Sequence, residues 1–496
     1  MAAKTSLVNQ CRCGRLSSMI ARIPGPFYYL AFCLSVFGLS PWIQATPFFY
    51  LPFILGVVLI FRSSIIHGLC IVLAYLSVEG AFKLFTQYDT VLRLAIDLLI
   101  ICLFMRLIQI RLKDSSGRKV LEAPFVFFFL LHIGWILVEF LNPHALGLLA
   151  SLAAYKVYVS ALLLYFISYT AIEGPDDLDL ICWMALFLLS VEIITSAYQF
   201  SVGEAGLLRW SSYYHQAMGV RFGGAYFRPF GTSNVAGGGS TLIFLLTPVS
   251  LSFLLKKSPR WAVPFGGLLM MAVTYILFIS QVRAALLKAL FGCILMFLIL
   301  FAKNIREVTY SFIFLVILSV GVGLSVKFDD SRFQMAEKRL LALGQISKVW
   351  EQRSHGSYDS VVQIVSEAPL GIGLSRVGAA AEPFKELIQS DAQYGLSWSF
   401  ADNLYKALLV EIGIPGLLLY MIFLISTFFQ GLKGLFAFSP DSRTLVFFQA
   451  GAVGALLASF AGHMGSEGFL YQPESTIVWV FIGTLARLSQ FKKHFN

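Results

Sequence analysis

The sequence predicts an all-α, polytopic membrane protein with about fourteen transmembrane helices and one large extramembrane loop. Of its 496 residues, 58% are hydrophobic and only 13% are charged, whereas a soluble domain carries about 25% charged residues. Apolar runs of roughly 17 to 25 residues, the length that crosses a bilayer as a helix, recur along the chain. The runs are continuous rather than alternating, which excludes a transmembrane β-barrel.

The apolar runs give the order of the elements. A basic tail (1–25) precedes helices 1–11 within 26–326, and helices 12–14 follow within 403–496. Residues 327–402 leave the apolar pattern and form the predicted loop, which we expect to pack on the membrane helices. Its helical patterns lie around Phe333–Trp350 and Ser357–Glu367. The predicted spans are 26–43, 46–61, 65–83, 91–109, 123–141, 146–171, 179–201, 235–255, 262–280, 284–302, 309–326, 404–430, 445–463 and 474–490.

Positive charges predict the orientation of the spans, because cytoplasmic connections are enriched in Lys and Arg. Alternate connections carry such residues, and both termini are therefore expected in the cytoplasm. The same distribution explains the net charge of +10 without a nucleic-acid partner. The connections with this bias hold Arg62; Arg106, Arg111, Lys113, Arg118 and Lys119; Lys256, Lys257 and Arg260; Lys303 and Arg306; Lys433 and Arg443; and Lys492 and Lys493.

Several arginines fall on the outer side, where this topology predicts few positive charges. The guanidinium group presents a planar fork of donors that fits phosphate oxygens. The set therefore favours a phosphate or pyrophosphate ligand reached from outside, with anchoring to phospholipid headgroups as the alternative. The outer arginines are Arg209, Arg221, Arg228, Arg283, Arg332, Arg339, Arg353 and Arg376.

Two of these arginines stand at predicted helix ends. Arg228 and Asn234 precede the glycine-rich stretch 237–239, where free backbone N–H groups could bind an anion. Packing of helices through small residues explains the same glycines equally well. Arg283 follows Ser280 in a turn of almost no length, at the bilayer surface. We interpret Arg228 and Arg283 as ligands of a lipid-linked phosphate.

The chain re-enters the membrane through Asp402 and Asn403. The plain interpretation is an N-cap pair before the next helix. A compatible one is a carboxylate that acts as general base at the membrane surface. Charges within the spans are either functional or buried structural pairs, and Arg93 and Asp97 can pair at four residues' spacing. No metal-ligand constellation and no cofactor motif is found in the sequence. The intramembrane charges are Glu79, Arg93, Asp97, Glu139, Lys156, Glu192, Lys288 and Glu411.

Four pieces of sequence, taken in order, resemble the O-antigen ligase and O-antigen polymerase superfamily of bacterial envelope enzymes. They are Arg228-x-x-Gly231-Thr232 with Asn234; Ser280-x-x-Arg283; Arg353 with Pro369-Leu370-Gly371-Ile372-Gly373; and Asp402-Asn403-x-Tyr405 with Glu411-x-Gly413-x-Pro415-Gly416. The first lacks the family's Pro-Asn, and the second has extra residues between its serine and arginine. Ligases of this family carry a histidine at the position of Asp402, which favours a polymerase or a ligase for another polysaccharide.

The resemblance implies the helical fold of lipid-dependent glycosyltransferases in the bacterial inner membrane, with 327–402 in the periplasm. It implies transfer or polymerisation of a glycan from an undecaprenyl-pyrophosphate-linked oligosaccharide onto a sugar hydroxyl of an acceptor glycan or glycolipid. The reaction would need no cofactor and no metal, and other proteins of a polysaccharide assembly system are possible partners. The residues assigned by resemblance are Asp402, Arg283 and Arg228 as catalytic, and Arg221, Arg353, Asn234, Asn403 and Glu411 as substrate-binding.

Two alternatives remain from the sequence. An O-antigen ligase acting on lipid A–core or another acceptor would use the same motifs. A transporter of lipid-linked saccharides belongs to another class. Its sequence would be expected to show an internal repeat and charges along a path through the membrane midplane. No repeat is found in the sequence.

Overall fold

The structure is a computed structural model that describes residues 25–39, 46–113, 123–207, 228–233, 237–257, 259–302, 357–381, 384, 386, 388, 404–437, 443–462 and 472–495. Over these residues the fold is helical and contains no strand. The helices are α1 (Gly25–Leu39), α2 (Thr46–Arg62), α3 (Ile65–Phe85), α4 (Thr90–Lys113), α5 (Val126–Glu139), α6 (Leu148–Val159), α7 (Leu163–Ala171), α8 (Pro175–Leu207), α9 (Gly239–Lys257), α10 (Pro259–Ser280), α11 (Arg283–Ala302), α12 (Ser357–Glu367), α13 (Gly378–Ala381), α14 (Leu404–Ala437), α15 (Arg443–Gly462) and α16 (Glu474–Phe495).

These helices indicate a multi-pass membrane protein. Within the described ranges, seven helical segments are long and apolar enough to cross a bilayer. Every predicted span except 309–326 coincides with helical structure, and 309–326 lies outside the described residues. The seven segments are Ile65–Phe85, Leu148–Ala171, Pro175–Gly203, Gly239–Lys256, Ala284–Ala302, Leu404–Lys433 and Arg443–Gly462; shorter apolar helices cover Gly25–Leu39, Thr46–Arg62, Val126–Glu139 and Pro264–Ser280.

Close helix packing forms the centre of the bundle. Helix α15 packs on both α9 and α11, and α16 packs on α7 and α14. Glycine permits the closest of these approaches, because a Cβ on Gly454 would collide with the carbonyl group of Gly292 on α11. A Cβ on Gly451 would lie 2.6 Å from the hydroxyl of Ser252 on α9. Small residues at such crossings let helices associate in a bilayer, where no hydrophobic effect drives them together.

The predicted span 146–171 corresponds to one membrane-spanning segment, Leu148–Ala171, whose helix is interrupted between α6 and α7. Between α6 and α7 the backbone bonds shorten to i→i−3, as in the bond from the N–H of Leu163 to the carbonyl of Ser160 at 3.3 Å. The hydroxyl of Ser160 donates to Asp97 at 2.6 Å. A buried carboxylate therefore faces the break, and hydropathy along α6 and α7 contains no sign of it.

Asp97 pairs with a different cation from the one that sequence spacing suggested. Its carboxylate lies 2.9 Å from Nζ of Lys156 on α6, and Arg93 instead lies over the ring of Tyr88 at 5.3 Å. The side chain of Asp97 is nearly buried between helices, so a partner from the neighbouring helix shields it better than one on its own surface. The interhelical pair joins α4 to α6.

Candidate functional site

The segment that begins at Arg228 forms a tight turn at the start of α9. The N–H of Gly239 donates to the carbonyl of Phe230 at 3.2 Å, and the N–H of Gly237 donates to that of Pro229 at 3.0 Å. The turn also reaches α3, because the N–H of Ala81 donates to the carbonyl of Thr232 at 3.1 Å. Arg228 is half-buried at the head of this turn.

Two buried polar side chains of α8 hold the turn. Glu192 accepts hydrogen bonds from the N–H and the hydroxyl of Thr232, at 3.0 and 2.7 Å. The amide oxygen of Gln199 accepts from the N–H groups of Phe230 and Gly231 at 3.0 and 2.8 Å, and its NH₂ donates to the carbonyl of Gly231 at 2.7 Å. Glu192 and Gln199 are seven residues apart and therefore share a helix face. We call this pair the Glu192–Gln199 clasp.

Glycine is required where the turn meets the clasp. Gly231 has a φ of 63°, in the left-handed region that favours glycine. A Cβ on Gly231 or on Gly239 would collide with the carboxylate of Glu192. Of the glycines that the sequence offered as a possible anion site, Gly239 therefore serves to admit a carboxylate.

The Arg228 turn also lies against the turn that precedes Arg283. Gly237, with a φ of 71°, is so close to Val282 that a Cβ would lie 2.6 Å from its side chain and 3.2 Å from the carbonyl oxygen of Ser280. Helix α10 ends at Ser280 and α11 begins at Arg283, as the sequence predicted. Two motifs that lie more than forty residues apart in the chain thus meet at one end of the bundle.

The turn before Arg283 contains an unusual buried group. Gln281 has a φ of 57° and is only 8% exposed. Its side-chain oxygen has no hydrogen-bond partner in the part of the chain that the structure describes. A buried acceptor without a partner costs roughly 1–3 kcal/mol, and a ligand hydroxyl or amide could supply the missing hydrogen bond.

A second assembly is built on a break in α14. Gly413 adopts φ 66° and ψ −172° inside this helix, and Pro415 cannot donate to the carbonyl of Glu411. The loop 368–378 docks at the break: the N–H of Ile372 donates to the carbonyl of Val410 at 2.9 Å, and the N–H of Ile414 donates to that of Pro369 at 2.9 Å. The loop thus continues the backbone hydrogen bonding that the helix loses.

Glu411 lies in the middle of this second assembly. Its side chain is fully buried, with one carboxylate oxygen accepting from the hydroxyl of Tyr158 on α6 at 2.6 Å. The other oxygen accepts from the N–H of Val377 at 2.8 Å. Glu411 therefore ties the loop to two membrane helices.

The loop has further anchors in the first turn of α6 and in the connection before it. Ser375 donates to the carbonyl of Ala150 at 2.6 Å, and Nε of Arg376 donates to that of His144 at 2.6 Å. Gly371 and Gly373 have positive φ angles and lie too close to neighbouring backbone for any Cβ. As expected from the sequence, the described part of 327–402 packs on membrane helices, and α12 covers the predicted helical pattern Ser357–Glu367.

Comparison with protein families finds a match for the segment that contains Arg283, the loop 368–378 and Glu411. Residues 268–421 match the family model described as O-antigen ligase. By this match, we refer to residues 268–421 as the O-antigen ligase domain. The match runs from within α10 to within α14, and a search of curated proteins found no match. The resemblance noted from the motifs is thereby confirmed, and three of its four pieces lie inside the O-antigen ligase domain.

The predicted site residues are distributed unevenly over the described structure. Arg228 precedes the O-antigen ligase domain and contacts it through its turn, whereas Arg283 and Glu411 lie within it. The structure describes the backbone of Arg283 and gives it as the first residue of α11. The predicted site residues outside the described residues are Arg221, Asn234, Arg353, Asp402 and Asn403.

The Glu192–Gln199 clasp is the main feature that sequence reasoning missed. Glu192 was recognised only as a charge within a span. The available signal was the recurrence of Glu192, Ser196 and Gln199 at positions i, i+4 and i+7, which gives one polar stripe on an apolar helix. Ser196 indeed donates to Glu192 at 3.2 Å. Tyr158 and Ser375, which complete the second assembly, carried no comparable pattern.

Proposed function

We propose that this protein transfers or polymerises a glycan from an undecaprenyl-pyrophosphate-linked donor onto an acceptor sugar hydroxyl at the periplasmic face of the inner membrane. The observation that carries the proposal is the contact between the Arg228 turn and the turn before Arg283, inside and beside an O-antigen ligase domain. This contact brings two arginine-bearing backbone segments to one end of a membrane bundle, where a lipid-linked pyrophosphate would be reached.

The reaction makes one glycosidic bond and breaks one glycosyl–phosphate bond. The acceptor oxygen attacks the anomeric carbon of the donor sugar, and the bond from that carbon to the pyrophosphate oxygen breaks. Its electron pair leaves with undecaprenyl pyrophosphate, which gains negative charge that Arg228 and Arg283 stabilise without a metal. The proton of the acceptor hydroxyl passes to Asp402. Arg221, Arg353, Asn234 and Asn403 are proposed to bind the sugars or phosphates.

For Glu411 we propose a positioning role toward the substrate rather than direct contact. Its two carboxylate oxygens are occupied by Tyr158 and Val377, and the side chain is fully buried. We therefore propose that Glu411 holds the loop 368–378 beside the donor and does not contact the donor itself.

Asp402 as general base is tested with Asp402→Asn. Asparagine keeps the size and the N-cap ability of aspartate, so loss of polymer with normal protein amount would support a role as base. Polymer made at the normal rate by this variant would show that Asp402 serves only as a helix cap.

Polymerase and ligase activities are distinguished by the glycans of a deletion strain. A single repeat unit on the surface without longer chains indicates a polymerase, which the aspartate at position 402 favours. Full-length polymer retained on the lipid carrier indicates a ligase, which the description of the matched family favours. Accumulation of donor in the inner leaflet would instead support the transporter.

A further inference from the structure

A buried charge pair lies at the end of the bundle that contains Arg228 and Arg283. Nζ of Lys288 on α11 is 3.9 Å from a carboxylate oxygen of Glu474 at the start of α16. The two side chains are only 10% and 5% exposed. Burial of an ion pair in a membrane protein is costly, and such charges are commonly retained for function.

The position of Lys288 is set by glycine and by an aromatic ring. Gly462, the last residue of α15, has no Cβ, and a Cβ there would collide with the Lys288 side chain. Nζ also lies 4.6 Å from the ring centroid of Phe244 on α9, in cation–π geometry. Four helices therefore enclose this one ammonium group.

The hydrogen-bonding capacity of Lys288 is not used within the described residues. An ammonium group has three donors, but the distance of 3.9 Å to Glu474 is too long for a hydrogen bond. The same oxygen of Glu474 accepts from the hydroxyl of Ser459 at 2.5 Å. Lys288 is thus a buried cation that is held in place with its donors available.

Lys288 lies in the second turn of α11, near the end of the bundle that contains the Arg228 turn. Lys288 is five residues after Arg283, or about 7.5 Å along the axis of α11, and helical side chains tilt toward the N-terminus of their helix. The neighbours of Nζ are at the end of α15 and the start of α16, and Phe244 is in the second turn of α9, whose first residue, Gly239, bonds to the Arg228 turn.

We propose that Lys288 is a further phosphate-binding residue of the donor site, and that Glu474 holds its ammonium group ready for the pyrophosphate of the lipid-linked donor. This inference rests on the proposed function. Lys288 would supply a point charge at the end of the bundle where α9 and α11 begin, and this charge would act on the pyrophosphate as the sugar leaves. The phosphate of a bilayer headgroup offers the same chemistry and is distinguished in the test.

The test measures binding of undecaprenyl pyrophosphate to the purified, full-length protein in detergent. The variant Lys288→Met/Glu474→Gln removes both charges together, so no single charge is left buried, and glutamine still accepts from Ser459. We expect the Kd for undecaprenyl pyrophosphate to rise about tenfold or more, the loss typical of one charge-assisted contact. The Kd for uncharged undecaprenol, the thermal midpoint and the elution volume should stay unchanged.

The matched control is the pair Lys256 and Asp179 at the other end of the bundle, which is also partly buried. Lys256→Met/Asp179→Asn should leave the Kd for undecaprenyl pyrophosphate unchanged. Equal Kd values for the wild type and for Lys288→Met/Glu474→Gln would overturn the inference, and so would equal competition by phosphatidylglycerol. A wild-type protein that neither binds the donor nor transfers its glycan would instead contradict the proposed function itself.

Discussion

At the scale of single residues, the site combines a half-buried arginine, Arg228, with buried acceptors that hold the backbone next to it. Arg228 stands at the head of a turn whose N–H groups are bonded to the Glu192–Gln199 clasp. The side chains of Glu192 and Gln199 on α8 therefore hold the backbone from which the side chain of Arg228 extends. Accurate placement matters because a phosphate-binding fork loses most of its value when it is displaced.

The first prediction concerns the fork itself. Arg228→Lys and Arg283→Lys keep the charge but lose the planar pair of donors, and each should reduce glycan transfer by about 10²-fold. The control is Arg443→Lys, which should retain full activity. Arg443 is the first residue of α15, at the end of that helix away from Gly462. Transfer rates and protein amounts are measured together in membranes. Normal rates in both variants would remove the arginines from the mechanism.

The second prediction concerns the Glu192–Gln199 clasp. Glu192→Ala leaves the N–H and the hydroxyl of Thr232 buried without an acceptor, at a cost of roughly 1–3 kcal/mol in the free energy of unfolding. Activity should fall as well, because the Arg228 turn loses its support. Ser201→Ala, an exposed position on the same helix, should change neither. Unfolding in denaturant and transfer assays decide the matter, and wild-type behaviour of Glu192→Ala would rule out a supporting role.

At the scale of elements, two helices are broken by glycine in the same conformation. Gly203 in α8 has φ 67° and ψ −173°, and Gly413 in α14 has φ 66° and ψ −172°. At the second break the loop 368–378 takes over the free backbone groups, and Trp135 donates to the carbonyl of Ile412 at 2.8 Å. The break in α14 is thus the docking site of the loop 368–378, which is not part of any predicted span.

The third prediction is that this docking depends on glycine. Gly413→Ala should destabilise the protein by at least 1–3 kcal/mol, since alanine is strained at a positive φ and its Cβ would collide with Leu370. Gly134→Ala on α5 is the control, because in the described part of the chain its Cβ would meet no atom within 4 Å apart from its own helix backbone. The measurements are thermal unfolding and proteolysis of the loop. Equal stability of the two variants would contradict the docking.

Sequence reasoning predicted most of the helices because each apolar run is long enough to cross a bilayer. It also predicted the turn at Arg283 and the helix Ser357–Glu367, where charge and amphipathic spacing mark the ends. It did not predict the break between α6 and α7, since Asp97, which faces it, lies more than sixty residues away. The Glu192–Gln199 clasp was missed for the same reason. Hydropathy predicts that α8 spans the membrane, but it does not predict which distant backbone segment bonds to the polar side chains of α8.

At the scale of the whole molecule, the account depends on which side of the membrane each helix end occupies. The second turn of α9, the start of α16 and the end of α15 surround Lys288 on α11, and the start of α9 also bonds to the Arg228 turn. From the distribution of Lys and Arg, we expect this end of the bundle to face the periplasm. A lipid-linked donor in the outer leaflet would then have access to it.

The fourth prediction tests this orientation. Val362 on α12 is 69% exposed, so Val362→Cys in a cysteine-free background should react with a membrane-impermeant thiol reagent on intact spheroplasts. Ser375→Cys is the matched control, because Ser375 is fully buried and its replacement should react only after denaturation. Labelling of Val362→Cys only after lysis would invert the topology.

The most direct test of the central claim is reconstituted transfer. Purified protein in liposomes is given an undecaprenyl-pyrophosphate-linked repeat unit and an acceptor, with a chelator present. The account predicts a new glycosidic bond and one undecaprenyl pyrophosphate released per bond, with both products nearly lost in an Arg228→Lys/Arg283→Lys protein. A folded wild-type protein that releases no undecaprenyl pyrophosphate, or that moves the intact donor across the bilayer, would contradict the account.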